Sequence, residues 1–86
     1  MLTLHITRQV KTFLRSLDAK QYAQITRKIF SLLDMGTAND SKKLKGYDYS
    51  RVDVGEYRIL YKVENDCVYV QLVGKRNDSE IYKALR

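Results

Sequence analysis

Proline is missing altogether from this 86-residue chain, and cysteine and histidine occur once each. Without proline, nothing in the sequence forces a break in a helix or a central strand. A single thiol, Cys67, excludes an internal disulfide and points to a reducing, cytoplasmic setting. Cys67 opens an apolar strand pattern with no candidate base beside it, so it reads as a small core or edge side chain, not a nucleophile. One histidine and one cysteine, about sixty residues apart, do not make a zinc site. His5 sits in an alternating strand pattern, where an exposed or half-buried strand residue is expected, and a serine or cysteine triad has no other imidazole to draw on. The four glycines, Gly36, Gly46, Gly55 and Gly74, are isolated and look like turn residues, which excludes a phosphate-cradling loop. No apolar run reaches the roughly 18 residues that suggest a membrane span. The N-terminus lacks the apolar block of a signal peptide, and no repeat or low-complexity tract is present.

What the chain does contain is a hydrophobic fraction of 44%, too high for disorder. Its length fits one compact domain spanning residues 1–86. The formal charge is +6 with a pI near 9.6, a balance that suggests an anionic partner, although many small proteins are basic only for solubility. Basic side chains are spread along the sequence, so a positive patch has to be assembled by folding.

Leu2, Leu4 and Ile6 alternate with Thr3 and His5 and predict a short strand with one buried face. Val10, Phe13, Leu14 and Leu17 follow at helical spacing. Asp18 then starts a second helix, with Gln21 at capping-box distance, and Tyr22, Ile25, Ile29, Leu32 and Leu33 continue it to a stop at Gly36. Residues 37–49 are polar, with Asn39 and Gly46 as turn formers. Strands are predicted at 51–54, 57–63 and 67–74, with a turn at Gly55 and a hairpin at Asn65-Asp66. Asn77 and Glu80 cap a last short helix carrying Ile81 and Leu85. The order β-α-α-β-β-β-α predicts an α+β fold: a helical hairpin on one face of a twisted antiparallel sheet, with the first strand at an edge and the other face left partly open.

Arg58 and Arg76 fall in the strand-rich half, and Tyr82 follows Arg76 by six residues. On composition alone both arginines are solvated outer-face residues. Cations and phenols gathered on one face, however, can stabilise a phosphorane, and a tyrosine or lysine of lowered pKa can move protons where histidines and carboxylates are lacking. Asp53 and Glu56 are flanked by Arg51 and Arg58, which favours ion pairing over acid–base work.

The segments Lys43-Leu44-Lys45-Gly46, Val54 to Tyr61 (VGEYRILY) and Gly74 to Tyr82 (GKRNDSEIY), in this order, resemble the RelE/ParE toxin superfamily over nearly the whole chain. The resemblance implies a helical hairpin on a twisted antiparallel sheet. It also implies one of two activities: RelE-like members cleave messenger RNA in the ribosomal A site, and ParE-like members poison DNA gyrase. This chain is similar to the RelE side, with Arg58, Arg76 and Tyr82 at positions of the RelE active-site motif. On that resemblance Arg58 and Arg76 hold the scissile phosphate, and Tyr82 stacks on a base or contacts the 2′-hydroxyl. It further implies a metal-independent, cofactor-free endoribonuclease of the cytoplasm, with a cognate antitoxin, the ribosome and mRNA as partners and no membrane association. Where the RelE pattern has two lysines, this sequence has Arg51 and Asp53. Arg51 keeps a phosphate contact but is a poor proton acceptor, whereas Asp53 is expected as a salt-bridge partner and only secondarily as a base. Lys43, Lys45 and Lys75 add positive charge for RNA, or are simply solvated. A gyrase-directed binder and an inactive family member are the alternatives.

Overall fold

A computed structural model of the chain describes residues 2–35, 41–44, 46 and 48–76. The first strand, β1 (Thr3–Ile6), alternates as its sequence demands: Leu4 and Ile6 pack against the core while Thr3 and His5 are exposed. Helix α1 (Arg8–Arg15) begins at Thr7, whose extended backbone lets its Oγ1 accept from the Val10 N–H at 3.3 Å. Helix α2 (Ala19–Met35) begins at Asp18, whose carboxylate accepts from the Gln21 N–H at 2.8 Å. The expected cap is thus present; the stop at Gly36 lies outside the described residues. Val10 and Leu14 of α1 and Ile25, Ile29 and Leu32 of α2 are buried, one stripe per helix.

Four further strands follow: β2 (Lys42–Lys43), β3 (Ser50–Val54), β4 (Tyr57–Glu64) and β5 (Cys67–Lys75). They form one five-stranded sheet in the order β1-β5-β4-β3-β2. The antiparallel run β3 to β5 is as expected, and β1 does join at an edge. It does so parallel to β5, with Leu4 beside Val68 and Ile6 beside Val70, so the sheet is mixed. The polar stretch before residue 50 was expected to be loop, but Lys42 and Lys43 pair with Arg51 and Ser50. A two-residue edge strand has no periodicity of its own to reveal it. The last short helix, with its Asn77 cap and Ile81 and Leu85, lies outside the described residues.

Turn chemistry sets the registers. Asn65 and Asp66 both take positive φ (51° and 62°), the type I′ signature, between the paired ends Glu64 and Cys67. Gly55 alone takes positive φ (58°) in the β3–β4 turn, the position that type II′ geometry reserves for glycine. A register shift at Leu60/Tyr61 leaves Gln71 as an extra residue in β5, between Leu72 paired to Leu60 and Val70 paired to Tyr61.

Past the end of β1, the outer edge of β5 is completed by side chains. The Thr7 hydroxyl donates to the Gln71 carbonyl at 2.8 Å. The Gln9 amide donates to the Val73 carbonyl at 3.0 Å and accepts from the Val73 N–H at 3.2 Å, standing in for a strand. The main core lies between the helices and the near face of the sheet, with Val52, Ile59, Tyr61, Val68, Val70 and Val73 facing it. Among the described residues no helix is long and apolar enough to cross a membrane.

Candidate nucleic-acid interface

Because Val52, Ile59 and Val73 point toward the helices, strand alternation sends Arg51, Asp53, Arg58 and Leu60 to the opposite face. That face is only partly exposed. Leu60 and Leu72 are buried there, with Leu44 packed against them, and form a small apolar floor. Beside it, Asp53 and Arg58 are direct cross-strand partners. Arg58 Nε donates to Asp53 Oδ1 at 2.7 Å and Nη2 to Oδ2 at 3.3 Å, a two-pronged pair. The Arg58 side chain is 14% exposed and that of Asp53 37%.

The Arg58 hydrogen bond holds the Asp53 carboxyl below its ordinary range; partial burial opposes this, and the charges of Arg58, Arg51 and Arg76 add to it. Three guanidinium groups therefore act on one carboxylate, leaving the cluster positive. Arg51 reaches this face from β3, paired with Leu60 on one side and Lys42 on the other. Arg76 is exposed and stands one residue beyond β5, its N–H donating to the Glu56 carbonyl at 2.9 Å.

The remaining cations expected at the site are distributed differently. Lys75 pairs with Tyr57, whose ring meets Phe13 of α1 edge-on at 5.7 Å, so alternation sets Lys75 on the helix side of the sheet. Lys43 pairs with Ser50, also off the arginine face, and lies 3.9 Å from Asp48 with both side chains largely exposed. Lys45 and Tyr82 lie outside the described residues. Lys42, which sequence reasoning passed over, is the lysine placed directly across from Arg51. Two adjacent lysines carry no phase until a partner strand supplies it.

A second group on this face was also missed. His5 of β1 stacks on Tyr69 of β5, with ring centroids 5.0 Å apart and planes at 28°. Lys62 of β4 places its Nζ 5.7 Å from the Tyr69 ring and 5.5 Å from the Tyr49 ring. Glu64, 3.3 Å away, raises the Lys62 pKa by hydrogen bonding and charge. The Tyr69 phenol is pushed up chiefly by its hydrogen bond with Cys67. The signal was available: these residues occupy the same phase of alternation in their strands, but cross-strand register is needed to align them. Among the described residues no group of histidine, cysteine and carboxylate side chains is placed to hold a metal ion.

The sequence model of the ParE toxin of the type II toxin–antitoxin system parDE matches residues 4–80. Solved structures agree on the fold. The isolated RelE toxin of E. coli superposes with a TM-score of 0.76 at 24% identity, covering 99% of this chain and 95% of that one. A RelE–RelB complex from the archaeon Pyrococcus horikoshii matches with a TM-score of 0.78 at 24% identity over 87% of this chain and 94% of the other. A RelB–RelE antitoxin–toxin complex from Methanococcus jannaschii matches at 26% identity with a TM-score of 0.72, covering 100% of both chains. No curated protein matches the sequence.

Proposed function

This chain belongs to the family of ParE toxins of type II toxin–antitoxin systems, within the RelE/ParE superfamily, and from that premise we propose that it is a ribosome-dependent endoribonuclease that cuts messenger RNA. The observation that carries this reading is the cluster of Arg51, Arg58 and Arg76 around Asp53 on the sheet face away from the helices. In the proposed reaction the RNA's own 2′-oxygen attacks the adjacent phosphorus and loses its proton. The P–O5′ bond breaks, the 5′-oxygen takes up a proton, and a cyclic phosphate remains. Arg58 and Arg76 stabilise the extra negative charge of the phosphorane, and Arg51 holds a neighbouring phosphate oxygen.

Asp53 is a positioning residue in this scheme. Its lowered pKa makes it a weak base, and its oxygens are already engaged by Arg58. Tyr82 acts on the reacting nucleotide by stacking or at the 2′-hydroxyl. Lys43, Lys45 and Lys75 contribute to attraction of the larger ribosomal RNA surface. So sparse a set of proton-transfer groups fits a catalyst that relies on the ribosome to hold the RNA in line for attack. The protein acts in the cytoplasm, and a cognate antitoxin silences it by covering the basic face. Complexes of RelE with RelB among the structural relatives support that partnership.

A second reading, a toxin that acts by binding DNA gyrase, is favoured by the ParE identity of the matching family and by the engagement of Arg58 with Asp53. One experiment separates the two. The wild type and an Arg58→Ala/Arg76→Ala variant are added to a translating extract, and mRNA ends are mapped. Codon-phased cuts with the wild type, lost in the variant, are expected. Intact mRNA together with accumulated gyrase–DNA cleavage complexes refutes the ribonuclease reading.

A further inference from the structure

The row of His5, Tyr69, Lys62 and Tyr49 lies on the same sheet face as the arginine cluster but away from it. Arg58 and Lys62 are four residues apart on β4, about 13 Å at the strand rise, and β1 lies two strands further across the sheet, about 10 Å. A nucleotide seated at Arg58 does not reach that far. The row is therefore not explained by phosphate chemistry at the cluster.

Its makeup suits an unpaired base. Lys62 is held between two phenol rings with the exposed Glu64 carboxylate 3.3 Å from its Nζ, its own side chain 30% exposed, which fixes the ammonium in place without burying it; a phosphate meets it there by taking the place of Glu64. Tyr69 is braced on one side by this ammonium and on the other by the His5 ring. His5 itself is exposed, and β1 is the edge strand, so among the described strands none covers its outer flank. An aromatic ring held by a stacked neighbour, with its outer flank uncovered and a cation in the same row, is the platform that single-stranded nucleic acids use. Any base can stack on it, and the cation meets the backbone phosphate.

We propose that the His5–Tyr69–Lys62 row is a second RNA subsite, which stacks an unpaired base flanking the cleaved position and so holds the strand across the sheet. This rests on RNA being the substrate. Base stacking contributes affinity that is largely indifferent to sequence, so the subsite adds grip rather than codon choice.

The test compares a short labelled single-stranded RNA with an abasic ribose-phosphate chain of the same length, each titrated against the full chain by fluorescence anisotropy. The RNA is expected to bind about ten-fold more tightly than the abasic chain, the effect of one stacked base. Tyr69→Leu and His5→Ala should each shrink that ratio toward one, while Arg58→Ala weakens both ligands and preserves it. His5 is exposed, so His5→Ala decides the matter even if Tyr69→Leu fails to fold by circular dichroism. A wild-type ratio of one, or a ratio unmoved by His5→Ala, overturns the proposal. So does a loss that falls only on affinity for the antitoxin, which makes the row a protein interface. The result is separable from the cleavage reading: a base-dependent ratio with no mRNA cuts sinks the ribonuclease assignment alone, and cuts without the ratio sink the subsite alone.

Discussion

Replacing Asp53 with asparagine isolates the carboxylate at the centre of the arginine cluster with almost no change in shape. In the native protein it receives two hydrogen bonds from Arg58, at 2.7 and 3.3 Å. A hydrogen bond to a charged group contributes roughly 1.5–3 kcal/mol when well sheltered, and an exposed ion pair contributes about 0–1 kcal/mol. Arg58 is sheltered, but Asp53 is 37% exposed, so solvent screens the pair. Asparagine also keeps one acceptor oxygen. We expect a loss of about 1 kcal/mol at neutral pH, seen as a fall in Tm of about 4–8 °C for a domain of this size. The pH dependence tests the cause. The folded pKa of Asp53 lies below its unfolded value, so its stabilisation is fully present above that unfolded value, about 3.9, and is lost as pH falls through the folded pKa. The difference in Tm between wild type and Asp53→Asn should therefore be largest near pH 7 and close below pH 3.9 as the native carboxylate is neutralised. With one anion fewer among three guanidinium groups, the variant should bind single-stranded RNA more tightly while being less stable. Thermal melts by circular dichroism over a pH series, paired with anisotropy titrations, read both effects. Equal Tm values at pH 7, or a difference that persists unchanged into acid, would refute the ion-pair account. Retention of mRNA cleavage by a folded Asp53→Asn protein would exclude the residue as a base.

Two stability changes should follow from the way the sheet is finished. Gln9→Ala removes both hydrogen bonds to the Val73 backbone and leaves that edge of β5 without a partner, at a cost of about 1–3 kcal/mol in urea unfolding; an unchanged midpoint would mean that water replaces the amide without penalty. Asp66→Gly relieves a non-glycine left-handed residue (φ 62°) in the type I′ turn and should stabilise by about 1 kcal/mol, raising the Tm by a few degrees; a decrease would show that the Asp66 side chain supports the turn in a way its backbone geometry does not reveal.

Much of the fold was legible because it rests on local rules. The 3.6-residue spacing from Val10 to Leu17 and from Tyr22 to Leu33, the cap at Asp18 and the Asn65-Asp66 turn each specify their element within a few residues. The parallel seating of β1 beside β5 was not legible, since alternation in Leu2–Ile6 reports which face is buried and nothing about the neighbour. Nor was β2, whose two lysines acquire a phase only against Ser50 and Arg51. At the site, the pairing of Asp53 with Arg58 followed from opposite charges in adjacent strand runs. The separation of Lys75 from the arginines required the β4–β5 register, which sets Gly74, not Lys75, against Arg58. The His5–Tyr69 stack brings together residues sixty-four positions apart in the chain, beyond any sequence window.

The extra residue in β5 has an evolutionary corollary. Gln71 changes the parity of the strand midway, so Tyr69 at one end and Gly74 at the other look out from the same surface although an odd number separates them. Excising that single residue would set Val70 and Leu72 next to each other opposite Tyr61 and Leu60, so both half-strands would keep their outward faces and only the local bend would be lost. A one-codon deletion at that point therefore spares the relation between the two ends of the basic face, whereas the same deletion in a regular part of the strand turns every side chain beyond it over.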